Sequence, residues 1–330
     1  MAVTANTNET YDVSTIREDL ASAMASISPT ETVFMSAIGT RNVDNTYFEW
    51  SEVDLAATGA NRQIEGDVGL SNTAPTNAVR KGGYTQISAK VVEVSSTNQA
   101  VNGVANAQTV AKQVAYKLSE LKRDMEAMLL ANVAAAVGSS GTARQTAGLP
   151  AYLTSNVSRG SGGANGTTSG TGESGSVNAA ATDGTLRPIT ETLLKSVIAD
   201  CWSSGATPTI VMCGSAQKQK ISTFTGNATR FKEAEDSKLN AAIDVYISDF
   251  GELQIVPNRH MRVRTVSSVD YTPDVFVLDP NYAEVAYLQT AKQEPLAKTG
   301  LSERRLISCE YGLQVTSQKA HGVVADINAS

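Results

Sequence analysis

The chain has 330 residues, 41% hydrophobic and only 5% aromatic, with a formal net charge of −6. That length suffices for two domains or one elongated one, and the acidic balance argues against a dedicated nucleic-acid binder, whose domain is usually strongly basic. No apolar run approaches the ~18 residues of a membrane-spanning helix, and the N-terminal stretch Met1–Val13 lacks the basic and apolar blocks of a secretory signal, so a cytoplasmic chain is expected.

Residues 1–27 are rich in Thr and Asn, with a weakly helical stretch at Val13–Met24. In Ile27–Gly39 (ISPTETVFMSAIG), Pro29 marks a turn into a helix, and Thr30 and Glu31 favour its first turn. Val33, Phe34, Met35 and Ile38 supply apolar anchors, so an extended arm ending in a short docking helix is predicted. Thr46–Trp50 (TYFEW) and Tyr84–Val94 both alternate and read as strands. The polar, glycine-punctuated Ser51–Gly83 lies between them, which predicts a projecting hairpin with a long tip. Glu52, Asp54, Arg62, Glu65, Asp67, Arg80 and Lys81 stud that tip. Such a tip has little to bury in its own chain: either it is a mobile loop or it lies on a neighbour, and loops of this length usually serve a purpose. Phe34, Arg62, Glu65, Asp67, Arg80 and Lys81 are therefore the candidate contacts to a neighbouring subunit.

Val104–Val137 reads as one long amphipathic helix. Val110, Val114, Leu118, Leu121, Met125 and Leu129 fall on one stripe, and Lys112, Lys117, Glu120, Lys122, Arg123 and Glu126 on the opposite face. Gly138 supplies a stop. Roughly 34 residues at about 1.5 Å each make a rod on the order of 50 Å, a spine for the other elements. Residues 138–185 are dominated by Gly, Ser, Thr, Asn and Ala; taken alone, this composition predicts a flexible loop unless packing pins it. Beyond it come a helix at Glu191–Trp202, a buried strand at Pro208–Cys213 and a helix at Ala216–Phe224. Strands are predicted at Val245–Ile247, Leu253–Val256, Arg262–Val269, Asp274–Leu278, Leu306–Ser308 and Tyr311–Val315, and Ala320–Ile327 closes the chain. The fold class is α+β with a mixed or antiparallel sheet.

Few residues suggest catalysis. Gly170–Gly175 matches GxGxxG but lacks the preceding strand and following helix that a dinucleotide site needs. A Ser or Cys nucleophile usually recruits His as base. The candidates are His260, set among arginines, and His321, and the chain has no GxSxG elbow. Cys201, Cys213 and Cys309 are widely spaced and read as buried free thiols, not a disulfide frame or zinc site. Glu233, Glu235 and Asp236 read as a solvated face, and the sequons at Asn8, Asn156, Asn165 and Asn227 mean little without a secretory signal. Arg259, Arg262 and Arg264 form a basic strip able to face DNA or an acidic neighbour, and Lys298, Arg304 and Arg305 form another; charge balance on a solvent face accounts for either strip equally well. No catalytic residue, cofactor or metal site is assigned.

The order of parts resembles the major capsid (major head) proteins of tailed phages, which have the Hong Kong 97-type fold. Ile27–Gly39 together with Phe48–Trp50 is similar to their N-terminal signature, and Ala297–Val324 to their C-terminal one. The resemblance implies an N-terminal arm at 1–44, an extended β-hairpin E-loop at 45–100 and a spine helix of the peripheral (P) domain at 101–138. It further implies a Gly/Ser-rich loop or insertion at 139–188, and an axial (A) domain with returning P-domain strands at 189–330.

In function, the resemblance implies a non-enzymatic virion protein, made in the bacterial host's cytoplasm. It self-assembles into pentamers and hexamers of an icosahedral shell around double-stranded DNA, which it contacts nonspecifically. Portal, scaffolding and decoration proteins are the implied partners, with no membrane and no cofactor. The short segment before the first signature points to a separate scaffolding protein. Some relatives cross-link Lys to Asn; Lys81 and Lys90 are present, but no matching motif assigns such a bond. The rival readings are a bacterial nanocompartment shell of the same fold, a hydrolase using His321 or His260, and a tail adhesin suggested by the Ser/Thr/Gly-rich middle.

Overall fold

A computed structural model describes residues 30–60, 62, 65–66, 75–101, 109–168, 175–224, 245–298 and 300–328. The first half runs α1 (Val33–Ala37), β1 (Gly39–Asn42), β2 (Tyr47–Glu52), β3 (Val79–Tyr84), β4 (Gln86–Ser95), α2 (Ser96–Ala100), α3 (Val110–Leu129) and α4 (Leu149–Tyr152). Then come β5 (Val157–Ser158), β6 (Thr167–Thr168), β7 (Val177–Ala179), α5 (Glu191–Ser203), β8 (Ile210–Cys213) and α6 (Ser215–Ile221). The remaining strands are β9 (Val245–Ser248), β10 (Gly251–Pro257), β11 (Arg264–Val266), β12 (Val269–Tyr271), β13 (Val275–Leu278), β14 (Ala283–Pro295), β15 (Ser302–Val315) and β16 (Gly322–Val324). The readings of Val13–Met24, Pro29, Asp67, Gly170–Ser174 and the acidic cluster from Glu233 to Asp236 lie outside the described residues.

The spine helix α3 is shorter than its sequence pattern predicts. It spans 20 residues, about 30 Å at 1.5 Å per residue. Leu121, Met125 and Leu129 are buried along one stripe, with Val110, Val114 and Leu118 partly buried above them. The helix stops at Leu129 rather than Gly138 because the following backbone has better partners elsewhere. Asn132 bonds the Ala181 backbone through both ends of its amide, and the Ala135 N–H donates to the Val177 carbonyl. Ala136 bridges to Gln145, leaving Gly138 in a turn at φ +79.

Two sheets follow. The four-stranded sheet has the order β1-β14-β15-β4, with β1 parallel to β14 and the other pairs antiparallel. Alternation along β15 buries Ile307, Cys309, Tyr311, Leu313 and Val315 with the α3 stripe. The six-stranded sheet, ordered β5-β16-β13-β8-β10-β9, is mixed. It is the wall between two cores. On β13, Phe276 and Leu278 join the spine core, whereas Val275 and Val277 join a second core under α5 and α6. Met212 and Val211 on β8 divide in the same way, as do Val323 and Val324 on β16. Burial on both faces explains why Pro208–Cys213 reads as a continuous apolar run rather than an alternating one.

Several predicted elements are redrawn. Tyr84–Val94 is not one strand: the chain turns a corner at the buried Thr85, whose N–H donates to Thr46 and whose hydroxyl donates to Glu310. Before that corner β3 pairs with β2; after it β4 joins β15. The interval Arg262–Val269 is a small β11–β12 hairpin turning at Ser267 and Ser268, both with positive φ. Leu306–Ser308 and Tyr311–Val315 belong to one strand of 14 residues, whose partner β14 has a polar, exposed half that conceals it in the sequence.

The described part of the Gly/Ser-rich segment is pinned. Val177 is fully buried in the spine core, and Thr167 pairs with Ala179 and Ala164 with Thr182. Gly160 and Gly184 lie so close that a Cβ on either would collide with backbone across the gap. Here glycine serves close approach rather than mobility.

Candidate assembly interface

The projecting hairpin is built from β2 and β3, paired from Tyr47↔Tyr84 to Glu52↔Val79. Alternation turns Phe48 and Trp50 inward, where both are buried. Phe48 fills the space over Gly83 and Gly312, which have no Cβ to obstruct it. Trp50 stacks at 6.0 Å from Phe48 and 6.3 Å from Tyr152, whose hydroxyl donates to the Leu313 carbonyl at 3.1 Å. The foot of the hairpin is thus part of the spine core.

Beyond the foot the apolar side chains are exposed. Leu55 is 84% exposed, Val53 53% and Val79 48%. Val53 and Leu55 alternate with Asp54 in backbone that forms neither helix nor strand. Polar latches hold the limb where it leaves the body. Ser317 Oγ donates to Glu52 Oε1 at 2.7 Å, and Lys319 Nζ meets Asp54 Oδ2 at 2.7 Å. A groove of about 290 Å³ lies beneath, walled by Ser51–Asp54, Ser204–Ala206, Tyr282, Thr316, Ser317, Lys319 and Ala320.

The predicted contact residues divide. Arg62 and Glu65 are exposed near the tip, and Asp67 lies outside the described residues. Arg80 pairs with Glu49, and Lys81 with Glu52, across the hairpin's own two strands. Phe34 is no surface anchor: it is fully buried between α1 and α3 in its own chain. Its N–H and that of Met35 donate to the two oxygens of Glu126, at 2.6 and 2.9 Å. Glu126, read from the sequence as part of the polar face, is fully buried and also accepts from Asn258 Nδ2 at 2.7 Å. The spine's carboxylate therefore ties α1 to the loop after β10.

The basic strip is likewise mostly spent within the chain. Arg262 forks onto Asp274 and reaches Asp183 at 2.7 Å; Arg264 bonds the buried Asp326 at 3.0 Å and lies 3.6 Å from Asp183. Arg259 alone of the three is exposed. In the second strip Arg304 faces Glu93 and Arg305 pairs with Glu303, while Lys298 is exposed.

Of the candidate catalytic groups, His260 is half-buried in the turn after β10, its backbone N–H donating to Asn258 Oδ1 at 2.8 Å, and the others are enclosed. His321 is buried, with Nδ1 accepting from the Asp279 N–H and Nε2 3.4 Å from the Tyr282 carbonyl. Burial pushes its pKa down to about 4, so the ring is neutral and held on both nitrogens. The three cysteines are buried and free. Burial raises Cys201 and Cys213 to about 12 and Cys309 to about 11, leaving poor nucleophiles. Among the described residues, no three His, Cys, Asp or Glu are grouped to hold a metal ion, and no helix is long and apolar enough to cross a membrane.

Comparison with known proteins identifies relatives of this chain. A family profile described as SU10 major capsid protein matches residues 3–328. The major capsid protein of Escherichia phage Phieco32 is 30% identical over 148 residues, which is 44% of this chain and 39% of that protein's length. The capsid structure of cyanophage P-SCSP1u superposes with a TM-score of 0.60 at 13% identity, covering 96% of this chain and 94% of the other. An encapsulin, SrpI of Synechococcus elongatus PCC 7942, has the same fold, with a TM-score of 0.57 at 10% identity and coverage of 96% and 94%.

Proposed function

Because the chain belongs to the SU10 major capsid protein family, we propose that it is a non-enzymatic shell subunit whose activity is self-association. The observation that carries this reading is the hairpin, rooted in the core by Phe48 and Trp50 while Val53, Leu55 and Val79 are left in solvent. Exposed apolar groups on a projecting limb gain from lying on a second copy. Each stable contact would bury on the order of 1,200–2,000 Å². Several such contacts per subunit add avidity, and closed symmetry in pentamers and hexamers fixes the curvature of the icosahedral head.

The cargo is double-stranded DNA inside a virion, with portal, scaffolding and decoration proteins as partners and synthesis in the bacterial cytoplasm. Arg262 and Arg264 are neutralised by aspartates, so contact with DNA falls to exposed cations such as Arg259 and is weak, sequence-blind and salt-sensitive. The encapsulin likeness favours a second reading, a nanocompartment enclosing an enzyme. Nucleic acid or protein recovered from purified particles separates the two.

The test is to replace residues 53–78, Val53 and Leu55 among them, with a two-residue turn, keeping β2 and β3. The expected product is a folded subunit with unchanged circular dichroism that forms no closed particles by electron microscopy. Normal shells from this variant would refute the role given to the hairpin.

A further inference from the structure

The stretches before and after residues 169–174 come together at Gly160 and Gly184. Asp326 closes the meeting. One of its carboxylate oxygens accepts from the Gly160 N–H at 2.9 Å, the other from the Gly184 N–H at 2.8 Å and from Arg264 Nη1 at 3.0 Å. Asp326 is fully buried and adopts φ +61, an unfavourable backbone conformation for a residue with a side chain. Its own carbonyl accepts from the Arg187 N–H, so it is fixed on both sides.

The second stretch touches two other elements. Asn132 and Ala135, just past the spine helix, bond Ala181 and Val177. The carbonyl of Gly175 accepts the Gly82 N–H at 3.0 Å, on β3 of the projecting hairpin. Residues 175–184 are therefore knotted by Asp326 at Gly184 and hydrogen-bonded at Gly175 to the limb proposed to reach the neighbouring subunit. Hydrogen bonds of fixed length along a pinned segment transmit displacement in a way a free Gly/Ser loop would not.

We propose that Asp326 is a positioning residue for the hairpin, acting through the strap 175–184 rather than by touching the hairpin itself. This rests on the reading of the hairpin as the assembly limb, but the test does not depend on assembly. Asp326→Asn keeps the side chain's size while placing an NH₂ group against one of the three donors. Hydrogen exchange of the unassembled full chain is the readout. The expected result is at least a tenfold rise in exchange at residues 79–84 together with the strap, with α5 unchanged. Asn132→Ala loosens the strap from its opposite side with Asp326 intact and should give the same rise at 79–84. It decides the matter alone if the Asp326 variant fails to fold. Unchanged exchange at 79–84 in either variant, or a rise in Asp326→Asn spread evenly over the whole chain, would overturn the coupling.

Discussion

At the scale of single residues, the groups that matter most are polar and buried. His321 makes a pH prediction. Its pKa is lowered on folding, so the unfolded chain takes up a proton near pH 6.5 that the folded chain refuses until about pH 4. This group's contribution is therefore full above pH 6.5 and declines as the pH falls towards 4, by on the order of 3 kcal/mol. His321→Gln should be less stable at pH 7 yet should lose less between pH 7 and pH 4.5, as measured by urea midpoints. Equal losses in both proteins would show that the ring does not titrate as its burial requires. The sequence identified His321 but not its role, because a buried structural histidine and a catalytic base look alike until their partners are known.

At the scale of elements, Glu126 is the joint between α1, α3 and the loop after β10. A buried carboxylate with three N–H donors and no described cation partner is stable only because every donor is aimed at it. Glu126→Gln turns one oxygen into a donor and should cost about 1–3 kcal/mol. The loss should appear as a lower denaturant midpoint, with faster amide exchange in Val33–Ala37. Helical periodicity placed Glu126 with the lysines because it reports which face a residue is on, not what covers that face. The same limit explains the overlong spine. Apolar spacing continues to Val133, but the competing partners of the Asn132 side chain and of the Ala135 and Ala136 backbone lie 9 to 49 residues away in sequence, invisible to any local pattern.

At the scale of the whole molecule, stability and assembly separate. Phe48 and Trp50 hold the hairpin to the core, whereas Val53 and Leu55 contribute little within one chain. Val53→Ser with Leu55→Ser should change the unassembled chain's stability by no more than about 0.5 kcal/mol, the usual range for exposed sites. The same pair should sharply reduce closed particles on sedimentation. A large loss of monomer stability would place these side chains in their own chain's core. Normal particle yield would place the contact elsewhere.

What the sequence determined by itself was the kinds and order of the parts: a short apolar helix, a hairpin, an amphipathic spine and an α+β second half. Each is written in local periodicity, turn residues or composition. The tertiary structure decided how these parts meet. It ended the spine at Leu129, split Tyr84–Val94 at Thr85, put Phe34 inside, turned Arg262 and Arg264 onto aspartates, and pinned a Gly/Ser-rich segment that composition alone would set free. All five depend on partners far away along the chain. A local pattern fixes which groups a segment offers, but only three-dimensional packing fixes which of them meet.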